Sequence, residues 1–205
     1  MVVIDATNLL LFLRPDTPVS AGSDGMPIEK PKERIEYLVH TLEKSRNKII
    51  LPTPALSEAL VRAGAEATQR IVESLQKYSV FRIEPFDTRA AIEVAAMSRN
   101  ALKGGNKRGQ SDATWAKVKY DRQIVAIAKV AGATAIYSDD GDMATLAKKD
   151  GIKVILLKDL PLPPEDAQIK MEFEQALARA AEAESMGDEI ADDDEEAEVS
   201  DDGRP

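Results

Sequence analysis

Residues 133–143 read Ala133-Thr134-Ala135-Ile136-Tyr137-Ser138-Asp139-Asp140-Gly141-Asp142-Met143, a short apolar run that empties into three carboxylates. A run of this length with β-branched and aromatic members reads as a strand, and the Ser, Asp and Gly that follow it are turn formers that end it. The chain begins the same way, with Met1-Val2-Val3-Ile4 followed at once by Asp5. In open parallel sheets, ligands bind outside the carboxyl ends of the strands, where the strand order reverses. If these two strands are neighbours, their carboxylates converge there.

Working outward from these two runs, residues 49–51, 80–83 and 153–156 complete a set of five strands. Helical periodicity fills the intervals at 6–13, 32–45, 54–78 (with Gly64 as a point of breakage), 88–102, 113–130 and 142–149. Strands that alternate with helices in this way predict an α/β fold, a three-layer α/β/α sandwich around a mainly parallel five-stranded sheet. Two stretches read as loops: 15–27, and 103–112, whose sequence Lys-Gly-Gly-Asn-Lys-Arg-Gly-Gln-Ser-Asp is basic.

The 205 residues are 43% hydrophobic and 31% charged, enough apolar material for one well-packed domain with an appendage. The chain lacks cysteine and holds one histidine, His40, which excludes disulfides, thiolate metal sites and a histidine-rich zinc centre. Any metal must be held by oxygen. The apolar stretch at 1–13 is interrupted by Asp5, has no basic start and is too short to span a bilayer, so the expectation is a cytoplasmic protein with no membrane partner.

The net charge of −9 argues, as an average, against a polyanionic partner, but the average hides a division. Residues 1–164 carry 24 basic and 20 acidic side chains, whereas residues 165–205 carry 3 and 16. The expected organisation is a folded domain at 1–160, a Pro-rich linker and helix at 161–187, and a disordered acidic tail at 188–205. The tail either solubilises the protein, competes with nucleic acid for a basic surface or recruits a basic partner.

Asp121 lies in the helix at 113–130 on the same stripe as Ile124, Val125, Ala128 and Ala131. A carboxylate on a core-facing stripe is costly unless it is paired or binds a metal. Glu58 sits near the start of the helix that follows the second strand. Asp5, Glu58, Asp121 and Asp140 or Asp142 together make an oxygen-only nest suited to Mg²⁺ or Mn²⁺. One or two such ions activate water and stabilise a leaving oxygen in phosphodiester hydrolysis.

With these residues in place the sequence resembles the PIN-domain nucleases, which include the VapC-type toxin ribonucleases of toxin–antitoxin pairs. The resemblance covers roughly residues 1–157. It is carried by Val3-Ile4-Asp5-Ala6-Thr7, Ser57-Glu58-Ala59-Leu60, Asp121-Arg122-Gln123-Ile124-Val125-Ala126 and Ser138-Asp139-Asp140-Gly141-Asp142-Met143. It implies a PIN-like fold and a metal-dependent endoribonuclease whose acidic quartet is Asp5, Glu58, Asp121 and Asp140. Asp142 is a fifth carboxylate nearby, and Asp5, Asp121, Asp140 and Asp142 are the candidate metal ligands. The hydroxyls of Thr7 and Ser138 would fix carboxylate rotamers. Ser138 keeps the hydroxyl of the family's usual Thr, while Met143 replaces an aromatic. The adjacent Asp139 and Asp140 leave open which of the two faces the metal, and the register favours Asp140. A haloacid dehalogenase-type phosphatase also places Asp after its first strand, but it needs Asp-x-Asp where this chain has Asp5-Ala6-Thr7.

Plainer roles are open to the same residues. Asp5 suits a helix N-cap, as does Asp142. Glu58 is spaced to pair with Arg62, and Asp121 with Lys117. Lys103, Lys107, Arg108, Lys117 and Lys119 either track an RNA backbone or form an ordinary solvated surface. An RNA substrate, an antitoxin-like protein and a homodimer are the partners that the resemblance implies, although no helix face in the sequence is apolar enough to demand dimerisation. The rival reading is a PIN-like binding or regulatory module that acts through a protein partner with little or no nuclease activity.

Overall fold

A computed structural model describes residues 1–14, 16–19, 21, 25–109 and 111–165. Of the linker and helix expected at 161–187, residues from 166 onward lie outside the described residues, as does the acidic tail expected at 188–205. The elements run β1 (Val2–Ile4), α1 (Ala6–Leu13), α2 (Pro31–Lys44), β2 (Ile49–Pro52), α3 (Thr53–Ala63), α4 (Ala65–Lys77), β3 (Phe81–Glu84), α5 (Thr88–Lys103), α6 (Trp115–Val130), β4 (Ala135–Tyr137), α7 (Gly141–Lys148) and β5 (Lys153–Ile155). A 3₁₀ turn at Leu157–Asp159 follows. All lie within a compact unit formed by Met1–Leu162.

The five strands form one parallel sheet in the order β3-β2-β1-β4-β5. The chain therefore builds outward from β1 in one direction, returns, and builds outward again from β4, so the order reverses between β1 and β4. The register across that reversal pairs Val2 with Ala135, Val3 with Ile136 and Ile4 with Tyr137. Both strands end level, and the residues that leave them begin side by side.

Side chains alternate across a strand, so a sheet covered on both faces must be apolar at every position. Val2, Ile4, Ile49, Leu51, Ala135 and Tyr137 pack into one cluster with Leu9 and Leu11 of α1, Ile35 of α2 and Ile71 and Leu75 of α4. Val3, Ile50 and Ile136, the intervening residues, pack on the other face against Ile124, Val125 and Ala128 of α6 and Met143 and Ala147 of α7. Helices therefore cover both faces, giving the three-layer sandwich that the alternation predicts.

Two glycines set the joints. Gly64 has φ 89° and ψ 163°, a conformation that only glycine adopts cheaply, and it separates α3 from α4 where the sequence suggests one helix with a breakage point. Gly132, with φ 68°, ends α6 in the left-handed region, and the Ala133 N–H turns back to the Ala128 carbonyl at 2.9 Å. That helix-ending bond uses the amide of Ala133, so β4 begins two residues later than the apolar run suggests.

Candidate functional site: a carboxylate cleft at the strand-order reversal

Asp5 is the first residue beyond β1, and its backbone N–H donates to the Tyr137 carbonyl at 3.2 Å, which fixes it against the end of β4. Its Oδ1 accepts from the Asn8 backbone N–H at 2.8 Å, so it does cap α1. Asn8 itself is buried and donates from its side-chain amide to the same Tyr137 carbonyl at 3.0 Å. The cap and the junction between the two strands are one connected piece of structure.

Ser138 is fully buried just beyond β4. Its hydroxyl donates to the Asp5 carboxylate and accepts from the Asp140 backbone N–H at 3.2 Å. One hydroxyl thus bonds to the Asp5 carboxylate and to the Asp140 backbone. Burial pushes the Asp5 carboxyl up to about 6; the Asn8 amide and Ser138 hydroxyl oppose this, and the neighbouring charges of Asp139 and Glu58 add to it.

Asp121 projects from α6 and is only 5% exposed. Burial raises its pKa, against the pull of Lys117 and with repulsion from Asp140 and Asp142. Lys117, one turn earlier, places its ammonium 2.8 Å from Asp121 Oδ2, 2.5 Å from Asp140 Oδ2 and 3.4 Å from Asp142 Oδ2. Burial lowers the lysine's pKa, but the Asp121 and Asp140 carboxylates outweigh it and hold the ammonium charged well beyond its usual range. The pairing of Asp121 with Lys117 and the burial of Asp121 on the apolar stripe hold together rather than excluding each other.

Asp140, not Asp142, caps α7: its Oδ1 accepts from the Asp142 N–H at 2.9 Å and the Met143 N–H at 3.5 Å. This leaves its Oδ2 for Lys117, while Asp142 stands in the first turn of the helix. Asp139 accepts from the Leu157 N–H at 3.0 Å and so ties the end of β4 to the 3₁₀ turn after β5. Met143 is buried in the core under α7, where it contributes packing.

A cleft of about 290 Å³ is lined by Asp5, Thr7, Glu58, Asp121, Ser138, Asp139 and Asp140, together with apolar side chains such as Ile124 and Met143. Five separate segments of the sequence meet there, Val19 and Ala21 forming the fifth. Glu58 is at its exposed edge and pairs with Arg62 at 3.8 Å. Thr7 accepts from Arg62 at 3.0 Å instead of holding a carboxylate, so its expected role passes through the arginine. Asp142 faces a neighbouring groove between α5, α6 and α7, which it lines with Arg108 and Arg122.

The remaining basic candidates stand apart from the cleft. Lys103 ends α5 and Lys119 is exposed on α6. Lys107 lies 5.4 Å over the Trp115 ring, and Arg108 donates to the Ala113 carbonyl at 3.3 Å. Sequence reasoning gave no role to Arg122, which is 1% exposed and next to Asp121. Its guanidinium stacks 5.3 Å from the Trp115 ring and donates to the Lys107 carbonyl at 2.6 Å and to Ser98 Oγ at 3.2 Å. The signal was present in the spacing: Trp115 and Arg122 are seven apart on one helix and share a face.

The donors of this cleft are carboxylate and hydroxyl oxygens, the chemistry that Mg²⁺ and Mn²⁺ prefer. Lys117 shows that a cation is accommodated between Asp121 and Asp140, because its ammonium already sits there. Among the described residues no group of three Asp, Glu or His side chains stands ready for a metal ion. The acids of α6 and α7 are drawn around the ammonium instead. Among the described residues, also, no helix is long and apolar enough to cross a membrane.

A family model described as "PIN domain" matches residues 28–149. Several solved structures are similar. A chain of FitAB bound to an IR36 DNA fragment is 20% identical, with 78% of this chain and 98% of that one covered and a TM-score of 0.50. A chain of DNA-bound VapBC from Salmonella typhimurium is 15% identical, with coverage of 76% and 97% and a TM-score of 0.47. The VapC20 toxin of Mycobacterium tuberculosis, which cleaves the Sarcin-Ricin loop, is 13% identical, with coverage of 71% and 94% and a TM-score of 0.44. No curated protein matches the sequence.

Proposed function

This chain belongs to the PIN-domain family of nucleases, and from that membership we propose that it is an endoribonuclease dependent on Mg²⁺ or Mn²⁺. The observation that carries the reading is the meeting of Asp5, Asp121 and Asp140 in one cleft at the reversal of strand order, each delivered by a different segment. In this reading residues 1–160 are the nuclease domain, 161–187 a linker and helix, and 188–205 an acidic tail.

Asp5, Asp121 and Asp140 would hold the metal, with Asp142 within reach of the same cluster. A divalent ion bound there supplies the polarising charge that activates water and stabilises the departing oxygen. The chain's own residues do the rest. Ser138 links the Asp5 carboxylate to the Asp140 backbone, and α1 and α7 hold the same two acids as their caps. Glu58, exposed beside the cleft, is placed to accept a proton from an incoming water or to join the ligands. Thr7 and Arg62 set its position. Lys103, Lys107, Arg108 and Lys119 supply positive charge for an RNA backbone.

The partner expected with such a nuclease is an antitoxin-like protein, as in the FitAB and VapBC complexes, and the subcellular site is the cytoplasm. A homodimer is a further expectation. A second reading, a binding or regulatory module, draws on one observation: the Lys117 ammonium bonds to the acids of α6 and α7, and no ready-made metal group stands among the described residues.

Cleavage of single-stranded RNA and of DNA with Mn²⁺, with EDTA, and by the Asp5→Asn protein separates the two. The nuclease reading expects RNA cleavage that requires Mn²⁺ and falls by about 10³-fold in the variant, beyond the 10- to 100-fold typical of residues that only support metal ligands. Metal-independent cleavage, or an unimpaired variant, overturns it. Cleavage of neither substrate by the full chain favours the module.

A further inference from the structure

The carboxylates of the cleft fall into two groups that are neutralised differently. On one side, Lys117 reaches Asp121 at 2.8 Å, Asp140 at 2.5 Å and Asp142 at 3.4 Å. An ammonium has three donors, and here it faces three acceptors, so its bonding capacity is filled. On the other side, Asp5 accepts from the Asn8 N–H at 2.8 Å, and the cleft lining around it holds carboxylates, hydroxyls and apolar groups but no lysine or arginine.

We propose that Lys117 permanently takes one of the two cation positions of this site, so that the cluster binds a single divalent ion, seated on its Asp5 side. The inference rests on the metal-site reading above and refines it. Two ions sharing carboxylates would lie about 3.5–4 Å apart and need acids on every side. A second ion at the Lys117 position would have to break three charge-assisted bonds. It would also leave the displaced ammonium tethered within one helical turn of Asp121, where it repels the ion that replaced it. An ion approaching Asp5 meets neither cost. It gains a carboxylate that has no cation beside it in the cleft, while Asp121 keeps its second oxygen clear of Lys117.

Electron paramagnetic resonance of the full chain titrated with Mn²⁺ tests this without relying on activity. A lone ion gives a hyperfine-resolved signal, whereas two ions bridged by carboxylates give an exchange-coupled one; ions held loosely by the acidic tail are not paired at a fixed distance. The wild-type chain is expected to show an uncoupled ion whose affinity falls at least tenfold in Asp5→Asn. Lys117→Met, and independently Lys117→Gln, are expected to gain the coupled pair, and Lys117→Arg to remain uncoupled. A coupled pair in the wild type, or its absence from both neutral variants while Asp5 still governs one ion, overturns the inference and leaves the metal site standing. Mn²⁺ binding that is indifferent to Asp5→Asn overturns the metal site itself, and the inference with it.

Discussion

The two sides of the cleft are built from the same chemistry and reach opposite electrostatic states. Asp5 and Asp140 each cap a helix, each follows a strand of the same parallel pair, and both bond to Ser138. Asp140 nevertheless has a lysine within 2.5 Å, whereas Asp5 has a buried hydroxyl and acidic neighbours. The difference lies in what packs above each strand end. The helix over β4 carries Lys117 one turn before Asp121, and the helix that follows β1 carries no cation toward it. A symmetrical pair of sheet positions thus becomes one acid with a counter-charge and one without, and a half-buried acid that lacks a counter-charge is where a cation gains most.

The comparison can be broken most forcefully by charge removal. Asp5→Asn keeps the cap, because Asn caps a helix as well as Asp, but removes the charge. Cleavage is expected to fall about 10³-fold while the metal-free protein becomes more stable. Asp140→Asn should also abolish most cleavage, yet it should destabilise the metal-free fold by about 1 kcal/mol, because Lys117 loses a partner that is only partly shielded from solvent. Thermal melts in EDTA beside RNA cleavage assays check both. Equal stability changes of the same sign would show that the two sides are not different after all.

A smaller but more specific effect comes from pH. The Asp5 carboxyl titrates near 6 in the fold and near 3.8 when unfolded. Between these values the native state holds a proton that the unfolded state has lost. Stability of the metal-free protein should therefore be fully present at low pH and decline as pH rises through about 4 to 6, by about 3 kcal/mol. Urea denaturation across that range measures it, and Asp5→Asn should flatten the decline. Ser138→Ala should follow at about 1–1.5 kcal/mol, because it strips a hydrogen bond from the Asp5 carboxylate and leaves the Asp140 backbone N–H without its acceptor. Last comes Glu58→Gln, exposed and paired only loosely with Arg62; it should leave stability unchanged and lower cleavage by less than about tenfold.

Much of this arrangement was legible in residue order. The apolar runs before Asp5 and Asp140 identify the strands, and the core-facing stripe of α6 singles out Asp121. That β1 and β4 are neighbours was conditional in the sequence, since periodicity says which residues share a strand face but not which strands pair. The choice between Asp139 and Asp140 could not be read locally either. What separates the two is distant in sequence: the Leu157 amide, 18 residues further on, engages Asp139, while Asp140 caps α7, and both line the cleft. The three-way contact of Lys117 depends on how closely α6 and α7 approach, which no spacing within α6 encodes. Thr7 was expected to hold a carboxylate, but its hydroxyl is taken by Arg62 from the far end of α3.

Arg122 gives α6 a mechanical meaning. Asp121 and its neighbour Arg122 leave the helix in different directions, one toward the cleft, the other beneath the 103–112 segment, where it grips the Lys107 carbonyl and stacks on Trp115. Adjacent residues on a helix cannot drift independently, so the Lys107 backbone and the cleft acid Asp121 are levers on a single axle. A displacement of the Lys107 backbone therefore bears directly on the helix that carries Asp121.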